Sequence, residues 1–160
     1  MIGMNPGDEA AMQAALAEAR MAADEGEIPI GAVMLDPSGS VIATAHNRRE
    51  GLVDPTAHAE VLALRAAAAV TGEWRLEGCT LVVTLEPCPM CAGAVVMSRM
   101  SRLVFGAWND EYGAAGSRWD LVRDRRLNHR PEVMGGVLAE ECGAIVREFL
   151  TEQRPSREVR

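Results

Sequence analysis

Apolar positions recur along the 160 residues with two periods, one of about 3.6 residues and one of about two, and the switches between them mark out the elements. Met12, Leu16, Ala19 and Ala23 share one helical face. They follow Asn5-Pro6, a helix cap and a favoured first helical residue, and predict a helix to about Glu25. The apolar runs Ile28 to Leu35 and Val41 to Ala45 flank Asp36-Pro37-Ser38-Gly39, the composition of a tight turn, and predict a β-hairpin. A polar loop from Asn47 to Thr56 leads to an Ala/Leu-rich helix from about His58 to Val70. Thr80 to Leu85 is a short strand, the turn at Pro87 and Pro89 opens a helix through about Arg99, and Leu103 to Phe105 is a further strand. Residues 107–130 are loop-rich, Glu132 to Val137 reads as a last strand, and Ala139 to about Gln153 as a closing amphipathic helix. Strands alternating with helices predict an α/β chain, a three-layer α/β/α sandwich on a sheet of about five strands. With no repeat or Pro/Gly/Ser-rich linker, residues 1–160 are expected to form one domain, with an ordered core of about 5–153 and a short Arg-containing tail at 154–160.

Composition narrows the function. The chain is 48% hydrophobic and 24% charged, and no stretch longer than 12 residues lacks an Asp, Glu or Arg, which fits neither a disordered nor a membrane-spanning chain. Six acids against one base in the first 27 residues do not make a secretory leader, and a cytoplasmic location is expected. A net charge of −7 argues against broad capture of nucleic acid. The charge is uneven, however: residues 1–36 hold seven acids against Arg20 alone, whereas residues 99–130 hold seven arginines against four acids. The four cysteines, Cys79, Cys88, Cys91 and Cys142, are better explained in a reducing compartment by metal binding or burial than by disulfides.

Two fragments carry the chemistry, His58-Ala59-Glu60 and Pro87-Cys88-Pro89-Met90-Cys91, each at the start of a predicted helix. Cys88 and Cys91 are three apart and can point together off a first helical turn. His58 can supply an imidazole if the strands bring the two helix ends together. One His and two Cys leave a fourth zinc position open for water, the catalytic pattern, whereas structural zinc takes four protein ligands. Two thiolates cancel the charge of the ion and acidify water less than three histidines would, so a nearby base is needed. Glu60 can take the water's proton, lend it to a ring nitrogen and return it to a departing amine.

These fragments resemble the signature of the zinc-dependent cytidine/adenosine deaminases, H-x-E followed by P-C-x-x-C. Further segments are similar to the bacterial tRNA adenosine deaminase branch of that family: residues 54–60 (Asp-Pro-Thr-Ala-His-Ala-Glu), Thr84-Leu85-Glu86-Pro87-Cys88, Ser98-Arg99, Phe105-Gly106-Ala107, Gly113-Ala114-Ala115-Gly116-Ser117 and Asn128-His129-Arg130. The resemblance spans residues from about 8 to 153. It implies a cytidine-deaminase-like fold with a mixed sheet, one Zn²⁺ per subunit on His58, Cys88 and Cys91, and proton transfer by Glu60. It implies a homodimer whose substrate is a tRNA anticodon stem-loop, in which the first anticodon adenosine of an arginine tRNA is flipped into the site and hydrolysed to inosine. It implies contact of Asn47 with the flipped nucleotide and places Ile28, Pro87 and Phe149 in or beside the nucleotide site. No membrane partner is implied.

The chain departs from the family after Ala107, where a basic or small residue and then Asp are usual and Trp108 and Asn109 stand instead. Unless Asp110 takes its place through a loop shift, exchange of a carboxylate near the ribose for a neutral amide is expected to weaken repulsion of the nucleic-acid backbone and loosen the preference for RNA over DNA. Trp108, Tyr112 and Trp119 are half of the chain's six aromatics and lie among Arg118, Arg123, Arg125, Arg126 and Arg130, the stacking-plus-cation composition of a single-strand cradle. A solvated, salt-bridged face is the alternative for the same arginines. For the other groups plainer roles are expected: burial for Cys79 and Cys142, loop hydrogen bonding for His46 and His129, and packing in the core or at a dimer interface for Met97 and Met100. Glu86 is expected to orient the metal turn by hydrogen bonding. The rival functions are a guanine or other free-base or nucleoside deaminase on the same zinc site, and a non-catalytic zinc- and RNA-binding module.

Overall fold

Residues 3–153 are described in the computed structural model, and the predicted tail at 154–160 lies outside them. The first helix, α1 (Asp8–Asp24), begins after the Asn5-Pro6 pair. Asn5 is not its cap. Its backbone N–H donates to Asp8 Oδ2 at 2.7 Å and its carbonyl accepts from the Asp8 N–H, so Asn5 to Asp8 form a turn and Gly7 takes the N-cap. The buried stripe is Ala11, Met12, Ala15, Leu16, Ala19 and Ala22; the last member is Ala22 and not Ala23, which is half-buried.

The hairpin pairs β1 (Gly31–Leu35) with β2 (Val41–His46). In its turn the Asp36 carboxylate accepts from the hydroxyl and amide of Ser38 and the amide of Ser40, which hold it below the usual carboxylate range. The expected loop at 47–56 contains a one-turn helix, α2 (Arg49–Leu52), which ends on Val53 in the left-handed region (φ 50). Then come α3 (Ala59–Thr71), β3 (Thr80–Leu85), α4 (Pro89–Met97) and β4 (Arg102–Ala107). A 3-10 turn at Leu121–Arg123, β5 (Glu132–Gly135) and α5 (Ala139–Gln153) complete the chain. No helix among the described residues is long and apolar enough to cross a membrane.

The sheet order is β2-β1-β3-β4-β5, with β1 antiparallel to both neighbours and β3, β4 and β5 mutually parallel, a mixed sheet of five strands. Alternate side chains point to opposite faces. Ala32, Met34, Leu81, Val83, Leu103 and Phe105 pack with Ala63, Leu64 and Ala67 of α3 and with Ala92, Val95 and Val96 of α4. Val33, Val82 and Val104 pack with Ala11, Met12, Ala15 and Leu16 of α1 and with Cys142 of α5. Two glycines set the spacing on that second face: a Cβ at Gly31 would run into the Ala15 carbonyl, and one at Gly106 into Cys142 Sγ.

The topology also locates the site. Because β1 is antiparallel to β2 and to β3, the carboxyl ends of β2, β3 and β4 lie at one edge of the sheet together with the entry to β1. Ligands of open α/β sheets collect outside strand carboxyl ends. Glu27 and Ile28, His46 and Asn47, Glu86 to Cys88, and Trp108 and Asn109 all adjoin that edge.

Candidate active site

His58 is the N-cap of α3 and Cys88 the N-cap of α4, both with extended backbone (ψ 151 and 172), and Cys91 lies in the first turn of α4. Neither side chain makes a capping bond to its own helix, and both face the same point. Cys88 Sγ and Cys91 Sγ stand 3.6 and 3.5 Å from His58 Nδ1, and the three donor atoms lie within 4.8 Å of one another. Tetrahedral zinc with bonds of about 2.3 Å to sulfur and about 2.0 Å to nitrogen separates S and N ligands by about 3.5 Å. The three side chains therefore fit zinc, with Nδ1 as the imidazole donor, and they leave one tetrahedral position to a non-protein ligand.

The protons of this cluster point the same way. The Cys91 thiol donates to Cys88 and pulls the Cys88 thiol down to about 4, while sharing and burial push the Cys91 thiol up. The bond to Cys88, opposed by partial burial, raises the His58 imidazole. A pocket that already favours the Cys88 thiolate offers a divalent cation a ligand in the form it binds.

Glu60 is buried in the first turn of α3, and its Oε2 has no hydrogen-bond partner. Burial is the main cause that raises its carboxyl to about 7. An unsatisfied buried oxygen costs about 1–3 kcal/mol, which a purely structural acid would not retain. A group that must face a reacting water or base would.

The neighbouring residues were only partly legible in the sequence. Asn47 is buried and its Nδ2 donates to Glu27 Oε2 at 3.3 Å, while Glu27 Oε1 accepts from the Gly51 N–H at 2.8 Å. Glu27, a buried acid just before β1, was missed; its signal is an acid set against an otherwise apolar strand entry. Ile28 and Phe149 line a cleft of about 420 Å³ with Glu27, Arg49, Glu50 and Leu150. The metal-ligating trio is not part of that lining. Pro87 is buried and its carbonyl accepts from the Ala114 N–H at 2.8 Å. Glu86 is buried and binds the following loop at Asn109, Ala115 and Ser117.

Trp108 is half-exposed and stands edge-on to Phe105, ring centroids 4.8 Å apart. Asn109 Oδ1 accepts from the amides of Glu111 and Tyr112 at 3.3 and 3.1 Å. The expected arginine face divides in two. Arg123 pairs with Asp120 at 3.0 Å and Arg126 with Asp124 at 2.6 Å, whereas Arg118, Arg125 and Arg130 make no ion pair among the described residues. His46 bridges Glu18 and Glu25, His129 bonds the Met100 carbonyl, and Cys79, Cys142 and Met100 are buried. Met97, by contrast, is exposed in the single chain.

Two helix ends that present His, Cys and Cys beside a buried glutamate, at the carboxyl edge of a mixed sheet, define a zinc deaminase. The chain belongs to the family described as the cytidine and deoxycytidylate deaminase zinc-binding region, which matches residues 6–107. Within it, the tRNA-specific adenosine deaminase of Bacillus subtilis (strain 168) is 49% identical over 150 residues, 94% of this chain and 92% of that one. A solved structure from work on A-to-I editing by tRNA:A34 deaminases at the wobble position of transfer RNA superposes with a TM-score of 0.82 at 42% identity, covering 85% of this chain and 98% of the other. Guanine deaminase from Nitrosomonas europaea shares the fold at lower identity, TM-score 0.78 and 27%, covering 94% and 96%.

Proposed function

We propose that the protein is a hydrolase that deaminates adenosine to inosine in tRNA, at the first anticodon position of an arginine tRNA, acting in the cytoplasm as a homodimer with one zinc per subunit. The observation that carries it is the buried Glu60 Oε2, without a hydrogen-bond partner among the described residues, beside three donor atoms spaced for one ion. Identity of 49% to a tRNA adenosine deaminase against 27% to a guanine deaminase favours tRNA over a free base. Zinc on His58, Cys88 and Cys91 would act as a Lewis acid toward a water in the position those ligands leave open. Glu60 takes the proton that water gives up as its oxygen bonds to C6, passes it to the adenine ring nitrogen beside C6, then takes the proton left on that oxygen and gives it to the amine as the C6–N bond breaks, which leaves the C6 carbonyl of inosine and ammonia. Asn47 holds the flipped nucleotide from a position fixed by Glu27. Ile28, Pro87 and Phe149 wall the nucleotide, and Asn109 lies near its ribose. Trp108, Arg118, Arg125 and Arg130 are the groups best placed to hold the unpaired strand. Arg123 and Arg126, already paired with acids, act mainly in shaping the loop.

The test is Glu60→Ala. The expected outcome is a fall in turnover on the anticodon stem-loop of about 10²–10⁴-fold with zinc content and RNA affinity retained. Unchanged turnover would overturn the role of Glu60, and no turnover in the parent protein would support a zinc- and RNA-binding module instead.

A further inference from the structure

Glu86 is a buried carboxylate, 1% exposed, with no cation against it among the described residues. Isolated, such a charge is costly; here its oxygens are filled by backbone and hydroxyl dipoles of one later segment. Oε1 accepts from the amides of Ala115 at 3.0 Å and Ser117 at 2.9 Å. Oε2 accepts from the Asn109 amide at 3.0 Å and from the Ser117 hydroxyl. The four donors need two acceptor oxygens, and a carboxylate supplies them.

The loop is shaped around this group. A Cβ at Gly113 would collide with Glu86 Oε2 and lie 2.5 Å from the Asn109 carbonyl, although Gly113 is not among the positive-φ residues. Close approach, and not a special dihedral angle, therefore requires the glycine. The same stitching continues along the backbone: the Glu86 N–H donates to the Ala107 carbonyl and the Ala114 N–H to the Pro87 carbonyl, each at 2.8 Å. Glu86 and Pro87 immediately precede Cys88. While the backbone of the loop is spent on this junction, Trp108, Tyr112 and Trp119 keep their side chains 51%, 61% and 49% exposed.

We propose that Glu86 is a positioning residue that locks the loop of residues 109–117 to the metal-binding turn, so that the surface holding the unpaired RNA strand and the ligands of the ion keep one register. The assignment rests on the tRNA deaminase function proposed above. Glu86 touches neither the reacting base nor the ion. Its effect is on how well the strand is held, which separates it from Glu60.

The experiment compares the zinc-loaded parent protein with Glu86→Gln and Gly113→Ala. Glutamine keeps one acceptor oxygen and turns an amino group toward the Asn109 N–H, which frees that end of the loop. The substitution is expected to raise KM for the anticodon stem-loop on the order of tenfold or more while kcat and zinc stoichiometry stay within about twofold, the signature of lost uniform binding. Trypsin is expected to cut at Arg118 several-fold faster in both variants, a readout independent of catalysis. A KM and a cleavage rate equal to the parent's would overturn the proposal, as would loss of zinc with KM unchanged, which would make Glu86 a support of the metal turn alone. If Glu86→Gln does not fold, the same measurements on Gly113→Ala decide, because that change leaves the carboxylate in place. Absence of stem-loop turnover in the parent would count against the tRNA function, while the cleavage rates would still decide whether Glu86 locks the loop.

Discussion

Asn109 shows how one side chain can serve two purposes that respond differently to substitution. Its Oδ1 caps the amides of Glu111 and Tyr112, work that an aspartate would do equally well, so the loop does not need the amide. What the amide changes is charge beside the proposed ribose position. Asn109→Asp is therefore expected to leave stability within about 0.5 kcal/mol and to raise the ratio of RNA to DNA turnover in a paired stem-loop assay, and an unchanged ratio would contradict that role. The ligands and Glu60 were legible at this scale because each is a reactive residue type at a spacing fixed by a helix turn. Glu27 was not, and Glu86 was legible only as a hydrogen-bonding support of the metal turn. The amides that satisfy these two carboxylates lie 20 to 31 residues away, so the partners cannot be read from the local sequence.

At the scale of elements, the strands and long helices followed from periodicity and from Pro and Gly punctuation, and α5 and β3 begin and end where the apolar pattern does. The misses have physical causes. α2 is one turn long and too short to show a period, and α1 starts at Gly7, after a turn closed by the Asn5 N–H on the Asp8 carboxylate, and not at the residue that looks like a cap. The second case also reflects a long-range contact. Asp8 is buried against Arg102 at the start of β4, with bonds of 2.6 and 2.9 Å, and Glu132 of β5 bonds the same guanidinium at 3.1 Å. These groups tie α1 to the parallel end of the sheet across 94 residues of sequence. Removing Asp8 leaves the buried Arg102 guanidinium with the half-exposed Glu132 as its only acidic partner among the described residues, so Asp8→Ala is expected to lower unfolding stability by about 3 kcal/mol, read from the urea midpoint at constant m. A loss below about 1 kcal/mol would mean that Glu132 and water suffice for the Arg102 charge.

For the whole molecule, a net charge of −7 has to be reconciled with a polyanionic substrate. The reconciliation is local: two of the arginines in the 118–130 segment are neutralised by neighbouring acids, and Arg118, Arg125 and Arg130 remain. If those three contact phosphates of an unpaired loop, log affinity against log salt is expected to fall with a slope of about −2. A slope near zero would return the segment to an ordinary solvated surface. The fold class and the metal chemistry were legible because they depend on residue types and periods. The substrate was legible only through the resemblance to tRNA adenosine deaminases, because a zinc site with a glutamate serves many amino-substituted rings and only the surface around it selects one. The most direct test is to incubate the zinc-loaded protein with an arginine-tRNA anticodon stem-loop carrying adenosine at the first anticodon position, and in parallel with free guanine, adenosine and cytidine, measuring inosine and ammonia. The proposed function predicts inosine in the stem-loop and no ammonia from the small molecules; ammonia from a free base or nucleoside, with an unmodified stem-loop, would contradict it.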